Sequence, residues 1–366
     1  MRVVIDASPL LVRSAGVKNY LYHWILHLRR IAGKEAIRTF PRMEQVLPLT
    51  HEGSMGGRWN TMLGLGSLAA SNHLRLPVLD WLITGAQVFH ASVLARNPPG
   101  KARLTATIHD VTCWLMPEYH PRANRAAERS FAEVLKRADA LIAVSESTKR
   151  DAIQVLGLES EKIAVIHSGV PHSYFNVEPP LVEAVKKKYS LGRPYVLFVG
   201  TIEPRKNVDL LMDAFESLSP SIREHYQLVI AGPPGWASGT TMRRLQFVRY
   251  LGYVPEEALP GLTAGAAAFV YPSLYEGFGF PVVQAMAASI PVLCANTSCL
   301  PEVAGGAAAL VDPRSVSEIA AQLNRLLESP EERSRLAQLG RAQAEKYRWD
   351  RCARESLEFF REVAGG

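Results

Sequence analysis

Residues 273–303 read SLYEGFGFPVVQAMAASIPVLCANTSCLPEV. The apolar run that leads into them, 266–271, has the length and character of a buried strand. A polar turn follows, carrying one carboxylate, Glu276, and two glycines, Gly277 and Gly279, on either side of Phe278. Pro281 then opens an apolar helix over 282–288, where a missing N–H costs little. A second buried strand, 291–295, comes next. Strand, glycine turn and helix start together make an anion site. Glycine lets a ligand approach the backbone, and free amides with the helix dipole favour negative charge. Glu276 adds an acceptor suited to hydroxyl groups. An oxyanion with hydroxyls describes a sugar phosphate better than a nicotinamide.

Outward from this stretch, strand-like and helix-like segments alternate through the whole chain, which marks an α/β protein with parallel sheets. In the first half the strands are expected at 2–7, 87–91, 104–109, 140–145 and 163–167, with helices at 19–31, 124–137 and 146–156. In the second half strands are expected at 195–199, 227–231, 248–251, 267–271, 291–295 and 309–311, with helices at 207–217, 315–327 and 330–347. A chain of 366 residues exceeds a usual single core. Two sequential sets therefore predict two doubly wound, Rossmann-like domains, 1–175 and 176–348, followed by an amphipathic segment, 349–366. The boundary falls within 170–193, where prolines and a lysine run interrupt the pattern. Ligands of open parallel sheets bind beyond the carboxyl ends of the strands, and two such domains invite a site in the cleft between them. Residues 51–76 fit poorly: Gly, Met, Trp and Leu occur there without clean periodicity. A mobile loop pair and a membrane-touching segment are both open readings; an ordinary packed insertion is the expectation.

Composition narrows the class. Lys and Arg outnumber Asp and Glu by 24 to 16 over residues 1–190, a net of +8, and are outnumbered 17 to 19 over 191–366, a net of −2. The basic half suits an anionic acceptor or a lipid surface, and equally a solvated surface with scattered lysines. It carries no dense basic cluster or recognition motif of the nucleic-acid-binding kind. No run of 18 apolar residues is present, and the chain enters strand-like MRVVIDA with no leader pattern. Four scattered cysteines, Cys113, Cys294, Cys299 and Cys352, have neither zinc-site spacing nor a disulfide framework. A cytoplasmic setting is expected.

Several further residues are candidates for chemistry. Gly200-Thr201-Ile202-Glu203-Pro204-Arg205-Lys206-Asn207 follows the first strand of the second half. Arg205 and Lys206 sit where a diphosphate would lie, and two adjacent cations neutralise charge on a departing nucleoside diphosphate. Asn207 is placed to N-cap the next helix. His109-Asp110 ends a strand and points toward the ligand edge; Asp110 either orients an acceptor or caps the following turn. Gly16, in Ser14-Ala15-Gly16-Val17-Lys18, opens a helix after the first strand, and Lys18 is either an anion contact or a solvated charge. Tyr253 and Val254 end a strand near Pro255, with Tyr253 either a stacking platform or core. No Asp-x-Asp occurs, so a chelated metal has no support and cations with helix dipoles would take its part.

The stretch Glu276-Gly277-Phe278-Gly279-Phe280-Pro281-Val282-Val283-Gln284-Ala285-Met286-Ala287 resembles the signature of the retaining glycosyltransferase family numbered 4, which has the two-domain GT-B fold. Gly200 to Asn207, LPEVAG (300–305), LVDP (310–313) and, in the first half, IDASPL, AGVKNY and TIHDVT extend the likeness over nearly the whole chain. The family carries a second Glu where Gln284 stands. The resemblance implies that Glu276 contacts donor-sugar hydroxyls and that position 284 contacts the nucleotide ribose, here without charge assistance. It further implies that Arg205 and Lys206 hold the donor phosphates, that Gly16 approaches them, that the 252–254 turn holds the base, and that His109 lies near the reacting carbon. It points to bacterial mannosyltransferases of polysaccharide assembly, with GDP-mannose as co-substrate and a UDP-sugar close behind. No other cofactor and no metal are implied. Also implied are a saccharide or lipid-linked acceptor, peripheral membrane contact, and a last segment that crosses back onto the N-terminal domain. Three alternatives stay open: a catalytically weak relative that binds nucleotide sugar or a partner, for which Gln284 is the best argument, an epimerase or phosphorylase of the same fold, and a nicotinamide dehydrogenase, which lacks its G-x-G-x-x-G.

Overall fold

The computed structural model describes the chain except residues 14–15, 45–48, 52, 75–76, 237 and 366. It forms two compact units, Met1–Gly169 with Trp349–Gly366, and Val170–Arg348. In the first unit six parallel strands, β1 (Val3–Asp6), β2 (Ile37–Phe40), β3 (Val88–Ala91), β4 (Arg103–Ile108), β5 (Ala140–Ala143) and β6 (Ile163–Val165), lie in the order β2-β1-β3-β4-β5-β6. Val3 of β1 sits between Ile37 and Val88. The apolar runs are continuous because helices cover both faces of such a sheet. The edge strand β2 is absent from the sequence expectation: Arg38 and Thr39 break its apolar run, and it is four residues long.

The last helix, Trp349–Gly365, belongs to this unit. Its apolar face packs on the helix Gly16–Ala32: Trp24 and Phe360 are fully buried, and Trp24 Nε1 donates to Ser356 Oγ at 2.9 Å. Gly169 is where the chain needs glycine, since a Cβ there would lie 2.3 Å from the Trp349 nitrogen.

The second unit repeats the plan with β7 (Tyr195–Val199), β8 (Gln227–Ala231), β9 (Arg249–Gly252), β10 (Ala268–Tyr271), β11 (Val292–Ala295) and β12 (Ala309–Val311), in the order β12-β11-β10-β7-β8-β9. The chain builds outward from β7 to β9, then returns to the other side of β7 and builds outward again through β10 to β12. The reversal lies between β7 and β10. The helix Phe280–Ala287 that follows β10 is buried nearly all round, with Val282, Val283 and Met286 fully enclosed. Each such side chain contributes about 1.5–3 kcal/mol by leaving water. This packing fixes the turn carrying Glu276.

The structure differs from the sequence expectation in two further places. The first boundary lies at 169/170 rather than 175/176, because Phe175 is held in the second unit by the Arg341 and Arg348 guanidinium groups, 4.6 and 3.5 Å from its ring centre. The Pro- and Lys-rich stretch contains the helix Pro179–Lys188. Proline is tolerated at its start and its last-turn lysines complement the dipole. Residues 51–76, apart from the undescribed positions, contain a helix, Arg58–Leu74. Among the described residues no helix is long and apolar enough to cross a membrane.

Candidate functional site

The reversal of strand order between β7 and β10 opens the carboxyl edge of the second sheet where ligands of doubly wound folds bind. The two loops bordering it are Gly200–Asn207, after β7, and residues 272–279, after β10. Between them they place Arg205, Lys206 and Glu276 in direct contact. Lys206 Nζ lies 2.5 Å from Glu276 Oε1, and Arg205 Nη1 lies 3.2 Å from Oε2. Arg205 Nη2 also pairs with Glu203 Oε1 at 2.7 Å. Lys206 donates to the Tyr271 hydroxyl at 2.7 Å, and Ser273 Oγ donates to Glu276 Oε1 at 2.6 Å. Glu203, Lys206 and Glu276 are buried and Arg205 nearly so.

Two acids and two bases sum to no net charge. Burial acts to raise the Glu276 carboxyl, and Lys206 and Arg205 overcome it and hold the group at about 2. Burial and the Arg205 charge lower the Lys206 ammonium from the ordinary lysine value, with Glu276 and Glu203 acting against them. Such a group presents a phosphate with cationic donors and a hydroxyl with an ionised acceptor, side by side.

Backbone geometry explains why the loops hold these positions. Gly279, at φ +84°, precedes the buried helix, and a Cβ there would meet Leu300 Cδ2 at 2.7 Å. Leu274 N donates to Arg205 O at 2.9 Å, joining the loops. Asn207 does not cap the helix Val208–Glu216 with its side chain. It adopts φ +60° and its amide donates to the carbonyls of Pro272 and Pro313, so it ties the loops after β7, β10 and β12 together.

The other sequence candidates fall in different places. Gly200 ends β7. Gly277 and Phe278 are buried, and Phe278 stacks edge-on to Tyr347 at 5.6 Å. Gln284 is buried within the helix Phe280–Ala287. Tyr253 and Val254 follow β9 on the same carboxyl edge, two strands from β7, about 10 Å by strand spacing.

Gly16 and His109 belong to the first unit. Gly16 opens the helix Gly16–Ala32, while Ser14 and Ala15 lie outside the described residues. Lys18 is neither an anion contact nor a solvated charge. It is fully buried, with Nζ donating to the carbonyls of Val12, at 2.9 Å, and Gly53. Asp110 accepts from Thr112 N at 2.9 Å and so caps the turn after β4. His109 packs its ring edge-on to Tyr20, 4.8 Å between centres. With Ser92, Asp110, Trp114 and Glu128 it lines a cavity at the carboxyl edge of β3 and β4.

Several functional candidates escaped sequence reading. Glu128 sits among many charges on the helix Arg122–Arg137 and reads there as one more surface group. Burial and neighbouring Asp110 push its carboxyl up to about 7. Tyr271 and Ser273 read as strand end and loop. Gly232, at the end of β8, had a signal in the glycine-proline run 231–235 that went unused: its φ is +145° and a Cβ would lie 1.9 Å from the Gly200 carbonyl oxygen.

One buried and two half-buried histidines of the first unit make its stability depend on acid. His90 bonds Thr105 and Thr107, each at 3.0 Å, and burial lowers it to about 3. Burial likewise lowers His23 and His109 to about 4. Unfolded histidines bind a proton near pH 6.5, so below that pH the unfolded state takes up protons that the native state refuses, and stability falls. Glu128 opposes this, because its raised value favours the native state as pH drops below 7. His27, also lowered by burial, adds to the loss, while Asp6, raised by burial, opposes it with Glu128; the histidines outnumber the carboxyls, and the expected net is a loss of stability as pH falls from 7 to 5. Thermal unfolding followed from pH 8 to pH 5 should show the melting point moving down; a flat midpoint would contradict it.

Comparison with known proteins places these features in context. The family described as Glycosyl transferases group 1 matches residues 183–343, and that described as Glycosyltransferase Family 4 matches residues 55–174. O-antigen chain mannosyltransferase B of Escherichia coli is 34% identical over 267 residues, 71% of this chain and 70% of that protein. The serotype-specific mannosyltransferase WbdA of Escherichia coli is 28% identical over 74% of this chain, which spans only 35% of WbdA's length. Among solved structures, sucrose-phosphate synthase of Thermosynechococcus elongatus superposes with a TM-score of 0.75 at 18% identity, covering 99% of both chains. HepE of Anabaena, in complex with UDP and glucose, gives 0.73 at 17% identity over 98% of this chain and 99% of that one. At these identities the structural likeness speaks to fold alone, a GT-B α/β architecture with two parallel six-stranded sheets.

Proposed function

Because this chain belongs to glycosyltransferase family 4 and is a glycosyltransferase, we propose that it moves a hexosyl group of the mannose type, with retention, from a nucleoside diphosphate to a hydroxyl of a saccharide or lipid-linked saccharide. The observation that carries this reading is the contact of Arg205 and Lys206 with Glu276 at the strand-order reversal. A diphosphate there is met by two cations, and the attached sugar by an ionised acceptor. The mannose preference rests on the named activities of the relatives, GDP-mannose being the first donor to try.

In this reading the second unit holds the donor and the first unit the acceptor, with neutral His109 offering a hydrogen bond near the reacting carbon. The bond between the sugar's anomeric carbon and the diphosphate oxygen breaks as the acceptor oxygen bonds to the same face. The acceptor's proton passes to the departing diphosphate. Arg205 and Lys206 stabilise the negative charge that grows on it, a role that needs no metal ion. Gln284 in place of an acid favours a second reading, a relative that binds nucleotide sugar and turns it over weakly.

A thermal-shift screen of GDP-mannose, UDP-glucose and ADP-glucose tests the donor site. A ligand at 100 times its Kd adds about 2.7 kcal/mol, enough to raise the melting point by several degrees. No shift with any nucleotide sugar overturns the proposal. A shift without product when a saccharide acceptor is added selects the second reading, and the anomeric configuration of any product decides retention.

A further inference from the structure

We propose that the face built by the helices Arg58–Leu74 and Val78–Leu82 docks this protein on an anionic lipid surface. A surface helix normally turns charged side chains to solvent, and Arg58–Leu74 does not. Its inner side, Gly64 and Leu68, packs on the first unit; without a Cβ, Gly64 approaches Pro41 so closely that alanine would collide with the ring at 2.1 Å. Its outer side is apolar as well. Trp59 is 78% exposed, Met62 66% and Leu63 68%. Arg58 and His73 are its only ionisable residues, one at each end. The neighbouring helix Val78–Leu82 adds Trp81, 65% exposed, and Leu82, 55%. Two tryptophans and three aliphatic side chains thus stand together in solvent, forming a patch of the kind that marks an interaction site.

Charge identifies the occupant. A groove beside the patch is lined by Arg38, Arg42 and Asn60 together with Leu63 and Leu82. Asn60 Nδ2 donates to the Arg42 carbonyl at 3.1 Å and so fixes the backbone of that arginine against the helix. Arg42 itself is widely exposed, and its surface pairing with Glu44 at 3.3 Å holds it weakly. Residues 1–105, which contain the face, hold 13 Lys and Arg against 5 Asp and Glu, a net of +8 that exceeds the +6 of the whole chain. Tryptophan at the level of the headgroups, aliphatic side chains below it and arginines at the rim match the layers of an anionic membrane surface. A second copy fits worse. Two-fold pairing would set the same patch against itself and bring Arg38, Arg42 and Arg58 face to face with their equivalents.

The test uses the full chain and needs neither donor nor acceptor, so its outcome is independent of the proposed transfer reaction. The protein is sedimented with vesicles of phosphatidylcholine alone and with vesicles also containing phosphatidylglycerol. The expected result is partition onto the anionic vesicles that weakens with salt. Trp59→Ser with Leu63→Ser should lower that partition about tenfold or more, as should Trp81→Ser with Leu82→Ser, with circular dichroism and melting unchanged. Arg42→Glu with Arg58→Glu should lower it severalfold and flatten the salt dependence. Absence of binding to either vesicle, or variants that sediment like the parent, overturns the proposal. So does self-association abolished by the same serine substitutions without vesicle binding, which makes the face a contact between copies.

Discussion

Lys206→Ala is expected to lower kcat by about 10²–10³-fold with little change in KM, the loss seen when one preorganised donor is taken from a developing negative charge. The environment makes the position specific. Lys206 Nζ is fixed between Glu276, at 2.5 Å, and the Tyr271 hydroxyl, at 2.7 Å, with its ammonium 5.2 Å from the Tyr271 ring centre. After truncation Glu276 keeps Arg205 and the Ser273 hydroxyl as partners, so the acid is not left bare and the fold should survive. Lys206→Arg should not restore turnover. The site is buried, and a planar guanidinium cannot replace a compact ammonium between those two oxygens. Single-turnover kinetics beside a melting curve separate the chemical role from a structural one. A folded Lys206→Ala protein with parental turnover would remove the proposed part of this residue in catalysis.

The second large effect belongs to a residue with no side chain. Gly232→Ala should destabilise the second unit by roughly 3–5 kcal/mol or more, through strain at a backbone conformation that L side chains rarely adopt and a collision that cannot relax. The φ is +145°, and the new Cβ would sit 1.9 Å from the Gly200 carbonyl oxygen and 2.6 Å from its carbon. Both are backbone atoms, so no rotamer change relieves the contact. Any relief must push the Gly200–Asn207 loop, which carries Arg205 and Lys206, away from the loop after β10. A lowered melting point, or loss of nucleotide-sugar stabilisation in the protein that remains folded, is the expected readout. A variant that melts and binds like the parent would show that β8 does not brace the loop.

The sequence disclosed most where local chemistry and global position agree. Residues 266–303 carry strand, glycine turn, proline-opened helix and second strand in one continuous signal, and the structure builds each of them. Arg205 and Lys206 were legible because a strand, a turn and two cations occur in order. Their contact with Glu276, 70 residues away, was an inference about topology that the strand order makes physical.

What stayed hidden lacked a local signature. β2 is a short edge strand broken by Arg38 and Thr39. The helix Arg58–Leu74 has two apolar sides and two internal glycines, so the alternation that reveals an amphipathic helix is missing. Asn207 has the identity of a capping residue, but its side chain bonds two distant carbonyls. Lys18 has the identity of a surface charge, but the fold encloses it and supplies carbonyls. In each case tertiary partners decide the role, and these cannot be read from neighbours in the chain.

The mutual quenching of Glu203, Arg205, Lys206 and Glu276 bears on which molecules the second unit ignores. An open pair of cations would concentrate every small polyanion in its surroundings, orthophosphate and pyrophosphate included. Here an incoming anion must first break standing ion pairs, and the carboxylate it displaces has to find new donors. If the group is the donor site proposed above, a molecule that brings hydroxyls along with its phosphates satisfies both sides of the exchange. In that reading the resting electrostatics disfavour abundant bare anions before any shape is tested.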